Sequence, residues 1–227
     1  MNPQDTLDRL DQLILSRSIL RHPLYVAWQH GELTAEQLAT YARVYYPHVA
    51  AFPRYLEAAI DSADDPLVRA ELERNLADEL MVPKAHNELW LDFAEGLGLD
   101  REYVASADRH PAAEAIVRAF DRLTGDGSAR ALAALYAYES QQPEVAREKM
   151  DGLRRNYGVD SPTALAYFAV HAEADIHHRQ GERQALLRCL EDGASAEAVL
   201  DSAAEALEAY WGLLDGVCAE AGIPLTG

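Results

Sequence analysis

The chain has 227 residues and a formal net charge of −18, from 38 acidic and 20 basic side chains. Such a negative surface repels both a nucleic-acid backbone and an anionic membrane, so we expect neither as a partner. With 49% hydrophobic residues and no apolar run of about 20 residues, the composition predicts a single globular domain over residues 1–227. Two cysteines are too few for a disulfide framework, and the N-terminus carries no signal-peptide core, so we expect a cytoplasmic protein.

Hydrophobic residues follow a helical period along the chain, and no segment sustains the period of two that is typical of strands. The spacing predicts a first helix near residues 7–14 and a short second helix over about 22–30. Thr34 and Gln37 form a capping box that opens a long third helix. Further helices are predicted over about 66–96, 111–123, 128–157, 162–191 and 196–219. Together these elements indicate an all-α bundle of about seven main helices.

Metal-binding side chains recur at helical intervals on three of these helices. Glu79 and His86 are seven residues apart within the helix predicted over 66–96. Seven residues turn an α-helix by about 700°, so we expect both side chains on one face, two turns apart. Taken alone, such a pair is more typical of a helix surface than of a metal site.

The later residues make a metal site the better interpretation. His171, Asp175 and His178 are spaced by four and three residues, which places them on one helical stripe. Glu139 follows an apolar run, and a buried carboxylate there needs a partner or a metal. Three imidazoles and three carboxylates predict a pair of iron or manganese ions, because a structural zinc site more often recruits thiolates.

Two prolines and the other histidines have ordinary alternatives to a functional role. Pro83 and Pro143 each follow a predicted ligand by four residues and cannot donate to its carbonyl, which predicts a distorted turn at both ligands. They can equally serve only to bend helices around the core. His177 is rotated by about 100° from its neighbour His178 and is expected beside the ligands or at the surface. The histidines without ligand spacing are expected to be structural: His22, His30, His48 and His110.

The order Glu-x6-His, Glu and His-x3-Asp-x2-His resembles the ligand signature of the heme-oxygenase-like di-metal oxidases. Within that superfamily the sequence is most similar to the branch related to the chlamydial protein associating with death domains. The resemblance covers nearly the whole chain, and its clearest stretches are HPLYVAW at 22–28, GELT at 31–34, AFPRYL at 51–56, ALYAYESQ at 134–141, AREK at 146–149 and YF at 167–168. It implies a heme-oxygenase-like helical bundle.

The resemblance also implies an unusual activity, the synthesis of para-aminobenzoate for folate from a side chain of the protein itself. The consumed tyrosine would be Tyr25, and the amino group would come from Lys149. Tyr41, Tyr138 and Tyr167 match further tyrosines near the metal site of the family. Dioxygen would be activated at two metal ions, either iron or iron with manganese, with an external reductant. A homodimer is left open.

Three other functions are compatible with parts of the pattern. The same metals can oxidise an external small acid or amine by decarboxylation, desaturation or N-oxygenation. A metal-free relative would be a thiaminase-like hydrolase or a cofactorless quinone-forming oxidase, but neither Cys189 nor Cys218 is well placed for a nucleophile. A binding module for helical partners would need an exposed apolar groove, and the sequence indicates none.

Overall fold

The computed structural model describes residues 2–81, 84–107 and 110–225, and within these ranges it contains eleven α-helices, one short 3-10 helix and no strand. The helices are α1 (Pro3–Ser16), the 3-10 helix (Ile19–Arg21), α2 (Pro23–His30), α3 (Ala35–Asp61), α4 (Pro66–Met81), α5 (His86–Gly96), α6 (Arg101–Ser106), α7 (Pro111–Thr124), α8 (Ser128–Glu139), α9 (Gln142–Asn156), α10 (Pro162–Glu191) and α11 (Ala196–Ala221). The predicted all-α class is confirmed. Seven of the described helices have 14 or more residues, in line with the expected seven main helices.

The ends of α2 and α3 follow the local rules that the sequence indicated. Gly31 ends α2 in the left-handed conformation at φ 72°, which a residue without a Cβ adopts at little cost. Thr34 caps α3 by accepting the backbone N–H of Gln37 at 3.2 Å, while the Gln37 side chain accepts that of Thr34 at 2.9 Å. Both capping-box hydrogen bonds are therefore present.

The helix predicted over 66–96 is wrong as a single element, because α4 ends at Met81 and α5 begins at His86. Ala85 has an extended backbone, with φ −50° and ψ 136°, directly before α5. Glu79 and His86 therefore lie on different helices, and the expectation that they share one helical face is wrong. Pro83, from which a distorted turn at Glu79 was expected, lies outside the described residues.

The helix predicted over 128–157 is likewise two helices, α8 and α9, separated at Ser140 and Gln141. Pro143 lies in the first turn of α9, where its missing N–H costs no helical hydrogen bond. Instead of a distorted turn at Glu139, the structure therefore has the end of α8 at that residue. The short helix α6 was not predicted.

The longest helix, α10, packs against α4, α5, α8 and α9, while α11 packs against α3, α7 and α8. The small helix α2 lies on α9 and contacts α11. This arrangement surrounds α8 and the middle of α10 with other helices, which buries their polar residues. None of the helices in the described ranges combines the length and the apolar character of a membrane span.

Candidate metal centre

The six predicted ligands are brought together as two buried groups. In each group, one potential ligand atom per residue lies within 4.8 Å of those of the other two. Each of these residues is at most 6% exposed. The first group is Glu79, His86 and His171, and the second is Glu139, Asp175 and His178.

The first group joins residues of α4, α5 and α10. His86 Nδ1 lies 2.8 Å from Glu79 Oε1, and His171 Nε2 lies 3.9 Å from the same oxygen. His171 Nδ1 is 2.7 Å from the Tyr167 carbonyl, to which it donates when protonated there. That hydrogen bond fixes the ring and leaves Nε2 free to bind a metal. Neither ring nitrogen of His86 makes a well-aligned hydrogen bond within the described part of the chain.

The second group joins α8 and α10. His178 Nδ1 lies 3.2 Å from Asp175 Oδ1 and 3.6 Å from Glu139 Oε1. The other ring nitrogen, Nε2, lies 3.0 Å from Asp78 Oδ2. Asn75 donates its amide to both oxygens of Glu139, at 3.1 and 3.0 Å. This contact orients the carboxylate toward the other two residues.

Electrostatics differ between His171 and the other two histidines, since the charge and hydrogen bond of Glu79 outweigh burial and raise the pKa of His86. Burial and the neighbouring charge of His86 lower the pKa of His171 well below 6.5, so its ring is neutral and ready to bind a metal. Burial also opposes a charge on His178, but its hydrogen bonds with Asp175 and Glu139 outweigh burial and raise its pKa to about 11. A protonated His178 thus supplies the positive charge that the carboxylates need in the absence of a cation.

These residues fit a pair of metal ions. Both ring nitrogens of His86 and the Oδ2 atom of Asp175 are buried without a well-aligned hydrogen bond among the described residues. Burying such atoms is costly unless a proton or a metal satisfies them. Mixed imidazole and carboxylate ligands suit iron and manganese, and binding would release the proton of His178.

A small cavity adjoins the ligands, and it is lined by Val49, Phe52, Glu79, Tyr138, Glu139, Tyr167 and His171. Two of the predicted tyrosines, Tyr138 and Tyr167, therefore border the ligand groups. The Tyr167 ring also packs on the His171 ring with 4.1 Å between centroids.

The other predicted site residues, Tyr25, Tyr41 and Lys149, form a separate tyrosine–lysine cluster. Lys149 Nζ donates to the Tyr41 hydroxyl at 2.7 Å, and the Tyr41 and Tyr25 hydroxyls are 3.3 Å apart. Lys149 Nζ lies 5.0 Å from the centroid of the Tyr25 ring. Burial lowers the pKa of Lys149 to about 7, so much of the amine is neutral near neutral pH.

Several residues of the site were not predicted. Glu182 follows His178 by one turn, is 1% exposed, and has no hydrogen-bond partner of good geometry among the described residues for either carboxylate oxygen. Burial and the charge of Glu139 raise the pKa of Glu182 well above 4.5, which favours its protonated form. The sequence contained a signal for two of these residues. Glu182 follows the ligand His178 by four residues, and Asn75 precedes the ligand Glu79 by four, so each pair shares a helical face.

Tyr210 lies on α11, where its hydroxyl accepts hydrogen bonds from the Tyr45 hydroxyl at 2.8 Å and the Gln142 amide at 3.2 Å. No spacing in the sequence relates Tyr210 to a ligand.

The remaining histidines lie outside both groups. His22 and His110 accept backbone N–H groups at the starts of α2 and α7, at 3.1 and 3.2 Å. His48 is buried, which lowers its pKa to about 3 and keeps it neutral. His30 and His177 are exposed. For His177 this agrees with the surface position, one of its two expected locations.

Comparison with known proteins was consistent with this geometry. Residues 39–211 match a family described as iron-containing redox enzymes. The chain is 42% identical over 210 residues to the 4-aminobenzoate synthase of Chlamydia trachomatis, covering 92% of this chain and 90% of that protein. It is 37% identical over 219 residues to the 4-aminobenzoate synthase of Nitrosomonas europaea, covering 92% and 89%.

A solved structure supports the fold. A CADD-like protein of unknown function from Nostoc punctiforme superimposes with a TM-score of 0.77 at 20% identity, covering 98% of this chain and 99% of that one. The chain therefore belongs to the heme-oxygenase-like family of iron-containing redox enzymes, within its CADD-like branch.

Proposed function

We propose that this protein is a dioxygen-dependent oxidoreductase that makes 4-aminobenzoate from its own Tyr25, with Lys149 as the donor of the amino group. The names of the similar synthases support the product. The observation that carries the self-consuming reaction is the buried amine of Lys149, 5.0 Å from the Tyr25 ring centroid. A reactive nitrogen and a ring of the right substitution pattern are thereby held side by side.

The chemistry sets what the site must accomplish. The tyrosine ring already carries two substituents in the para relation. Conversion to 4-aminobenzoate requires cleavage between Cα and Cβ, oxidation of Cβ to a carboxyl group and replacement of the phenol oxygen by nitrogen. When bound, a pair of iron ions, or iron with manganese, would activate dioxygen and, with an external reductant, supply oxidising power that side chains lack. The two buried ligand groups would hold these ions.

The residues around Lys149 prepare its amine. The amine is surrounded by the rings of Tyr25, Tyr41, Tyr45 and Phe168, with Nζ at 5.0–5.5 Å from their centroids. This environment excludes water and favours the neutral form, whose lone pair can attack an oxidised ring. The hydrogen bond to Tyr41 fixes the position of Nζ.

The sequence contains two lysines, Lys149 and Lys84. Lys84 is exposed and pairs with Asp92 at 2.9 Å. Of the two lysines, only Lys149 lies beside the Tyr25 ring, which supports it as the donor of the amino group.

Ring-labelled tyrosine tests the source of the ring. Protein grown with the label and then given metal, reductant and dioxygen should release labelled 4-aminobenzoate with no substrate added. Peptide mass spectrometry should locate a mass loss at residue 25. Tyr25→Phe should release none, whereas Tyr103→Phe, which removes a hydroxyl from a half-exposed ring (51% exposed), should match the wild type.

Labelled nitrogen tests the donor. With lysine labelled at Nζ, the product should carry the label, Lys149→Arg should stop production, and Lys84→Arg should leave it unchanged. Oxidation of an added small acid or amine, with no label leaving the chain, would replace this proposal by the external-substrate alternative.

A further inference from the structure

A second and larger cavity, of about 520 Å³, lies where α1 meets the junction of α8 and α9. None of the described residues that line it is a predicted metal ligand or belongs to the tyrosine–lysine cluster. A protein that builds its product from its own side chain needs no pocket for an entering substrate. The reaction of the proposed function therefore leaves this cavity without a role.

The wall of the cavity is largely apolar, with Ile14 of α1, Leu20 of the 3-10 helix and Val145 of α9 among its residues. Small-molecule sites in proteins commonly have volumes of about 300–1,000 Å³, mostly apolar walls and a few polar groups that orient the ligand. The size and the wall of this cavity suit the body of a small aromatic molecule.

Arg179 of α10 adds a positive charge to this wall. Its hydrogen bonds with described residues both use Nη1, which donates to the Ser140 carbonyl at 3.3 Å and to Glu144 Oε1 at 3.4 Å. The edge formed by Nε and Nη2 makes no hydrogen bond with any described residue, and 36% of the side chain is exposed. Such an edge binds a carboxylate through two parallel hydrogen bonds.

Ser140, directly after α8, supplies a second polar group without a partner. The residue is 8% exposed, and its Oγ is buried without a hydrogen bond among the described residues. Leaving a buried hydroxyl unpaired is costly. Because Ser140 lines the cavity and its carbonyl contacts Arg179, a carboxylate held by the guanidinium can also accept the hydrogen bond that Oγ lacks.

Asp11 of α1 also lines the cavity and is fixed on two sides. Its Oδ1 accepts the Tyr136 hydroxyl at 2.6 Å, and its Oδ2 accepts Arg183 Nε at 3.1 Å. Arg183 follows Arg179 by one turn of α10, which places the contact with Asp11 about 5.4 Å further along the helix. The two ends of a para-disubstituted benzene ring are separated by a similar distance. Lone pairs of Asp11 that remain free can therefore accept an amino group at the end of the ring opposite the carboxylate.

We propose that this cavity is a binding site for free aromatic monocarboxylates with a hydrogen-bond donor in the para position, and that its ligand is 4-aminobenzoate. The choice of ligand rests on the proposed function. The carboxylate binds Arg179 and Ser140, the ring packs on Ile14 and Leu20, and the amino group donates to Asp11. The site is separate from Tyr25, where the ring would be made.

Equilibrium dialysis with labelled 4-aminobenzoate tests the site on the whole chain, kept without dioxygen so that no product forms. One molecule should bind per chain. Arg179→Gln should weaken binding at least about tenfold, because a charge-assisted hydrogen bond is lost. The matched control is Arg118→Gln on α7, which also removes an Nη1 contact with a glutamate, Glu114 at 3.1 Å, but lies outside the cavity. Absence of binding to the wild type, or equal binding by the two variants, would overturn the proposal.

Shortened ligands test the two ends of the site. Aniline lacks the carboxylate and should bind at least about tenfold more weakly than 4-aminobenzoate. Benzoate lacks the amino group and should bind a few-fold more weakly, because only the contact with Asp11 is lost. Aniline that binds as tightly as 4-aminobenzoate would contradict recognition of the carboxylate by Arg179.

Ser140→Ala separates a binding role from a structural one. Removing a buried hydroxyl that has no partner should leave the melting temperature unchanged or raise it, and it should weaken the binding of 4-aminobenzoate a few-fold. A variant that loses stability and keeps its affinity would show that the fold itself satisfies Oγ, which contradicts the proposed contact.

A second copy of the chain is the competing occupant, because Leu15, which lines the cavity, is 66% exposed. In that case Leu15→Glu would lower the oligomeric state in analytical ultracentrifugation and 4-aminobenzoate would not bind, which overturns the proposal. The binding measurement does not depend on turnover. If added 4-aminobenzoate binds while ring-labelled tyrosine yields no labelled product, the proposed function fails and the binding site stands.

Discussion

The ligand groups and the tyrosine–lysine cluster are both buried in the same helical bundle, but they are stabilised in opposite ways. The ligand groups concentrate ionisable side chains, leave buried polar atoms without hydrogen bonds and hold a protonated His178 between two carboxylates. The tyrosine–lysine cluster is electrically neutral when Lys149 is deprotonated, and its hydroxyls and amine bind one another. The first region leaves buried polar atoms that a cation would satisfy, whereas the second satisfies its hydroxyls and amine within the polypeptide itself.

This difference assigns separate tasks to the two regions. A site with unsatisfied nitrogen and oxygen atoms gains stability from a bound metal, because the metal replaces protons that are held there at a cost. A neutral, satisfied cluster gains nothing from an ion. In the proposed function, it would keep an amine and a phenol side by side until the phenol is oxidised. In the proposed function the oxidant is generated in the first region and consumed in the second.

The largest effect is expected from the ligand groups, where adjacent histidines offer a matched pair. His178 is 4% exposed and lies 3.2 Å from Asp175, whereas the next residue back, His177, is exposed. His178→Ala should remove at least one of two metal ions per chain and lower product formation by about 100-fold or more, because a ligand to the metal is lost. Elemental analysis and product release measure the two effects.

His177→Ala is the control for that experiment and should retain both metal ions and full product formation. The comparison would fail if the two alanine variants bound metal equally well. In that case the second ligand group would be an internal ion pair rather than a metal site, since the same residues already satisfy one another through the His178 proton.

The helical period allowed most of the fold to be predicted, and the ligand intervals indicated the candidate metal ligands. Both depend on neighbours in sequence, as for His171, Asp175 and His178 on one face of α10. The helix break between Glu79 and His86 was not predicted, because apolar spacing continues across it. The two side chains nevertheless lie in contact. Their contact at 2.8 Å depends on how α4 and α5 pack.

The tyrosine–lysine cluster could not have been found from spacing. Tyr25, Tyr41 and Lys149 come from α2, α3 and α9, and Tyr210 comes from α11. Their hydroxyls meet only through tertiary packing, and a buried tyrosine in a helix is usually a core aromatic. Family resemblance supplied Tyr25, Tyr41 and Lys149, while Tyr210 became evident only from its hydrogen bonds.

A smaller effect, from pH, should distinguish the regions further. The Lys149 pKa of about 7 lies below its ordinary value of 10.5, so the amine is protonated and unreactive below pH 7 and neutral above it. Product formation should rise by about tenfold per pH unit below pH 7 and level off above it, since the neutral fraction changes in that way. Single-turnover rates between pH 6 and 9, at constant metal content, measure this. A rate that falls with increasing pH would exclude the neutral amine as the nucleophile.

The smallest effect concerns how α2 holds Tyr25 in place. Gly152 of α9 packs against Trp28 of α2, and a Cβ at Gly152 would lie 2.7 Å from the Trp28 ring, closer than atoms tolerate. Trp28 also donates its indole N–H to the Lys149 carbonyl at 3.3 Å. Gly152→Ala should therefore push α2 outward and destabilise the fold by about 1–3 kcal/mol.

Displacement of α2 should also reduce product formation a few-fold, because Tyr25 moves with Trp28 while Lys149 stays on α9. Gly212→Ala is the matched control, since this glycine is exposed on α11 and an added Cβ would have no neighbour within 4 Å. There the same substitution should stabilise the helix by up to about 1 kcal/mol. Thermal unfolding of both variants gives the comparison. Equal stabilisation by the two substitutions would mean that α2 can shift freely, and the fixed distance between Lys149 and Tyr25 would then not be a property that the fold enforces.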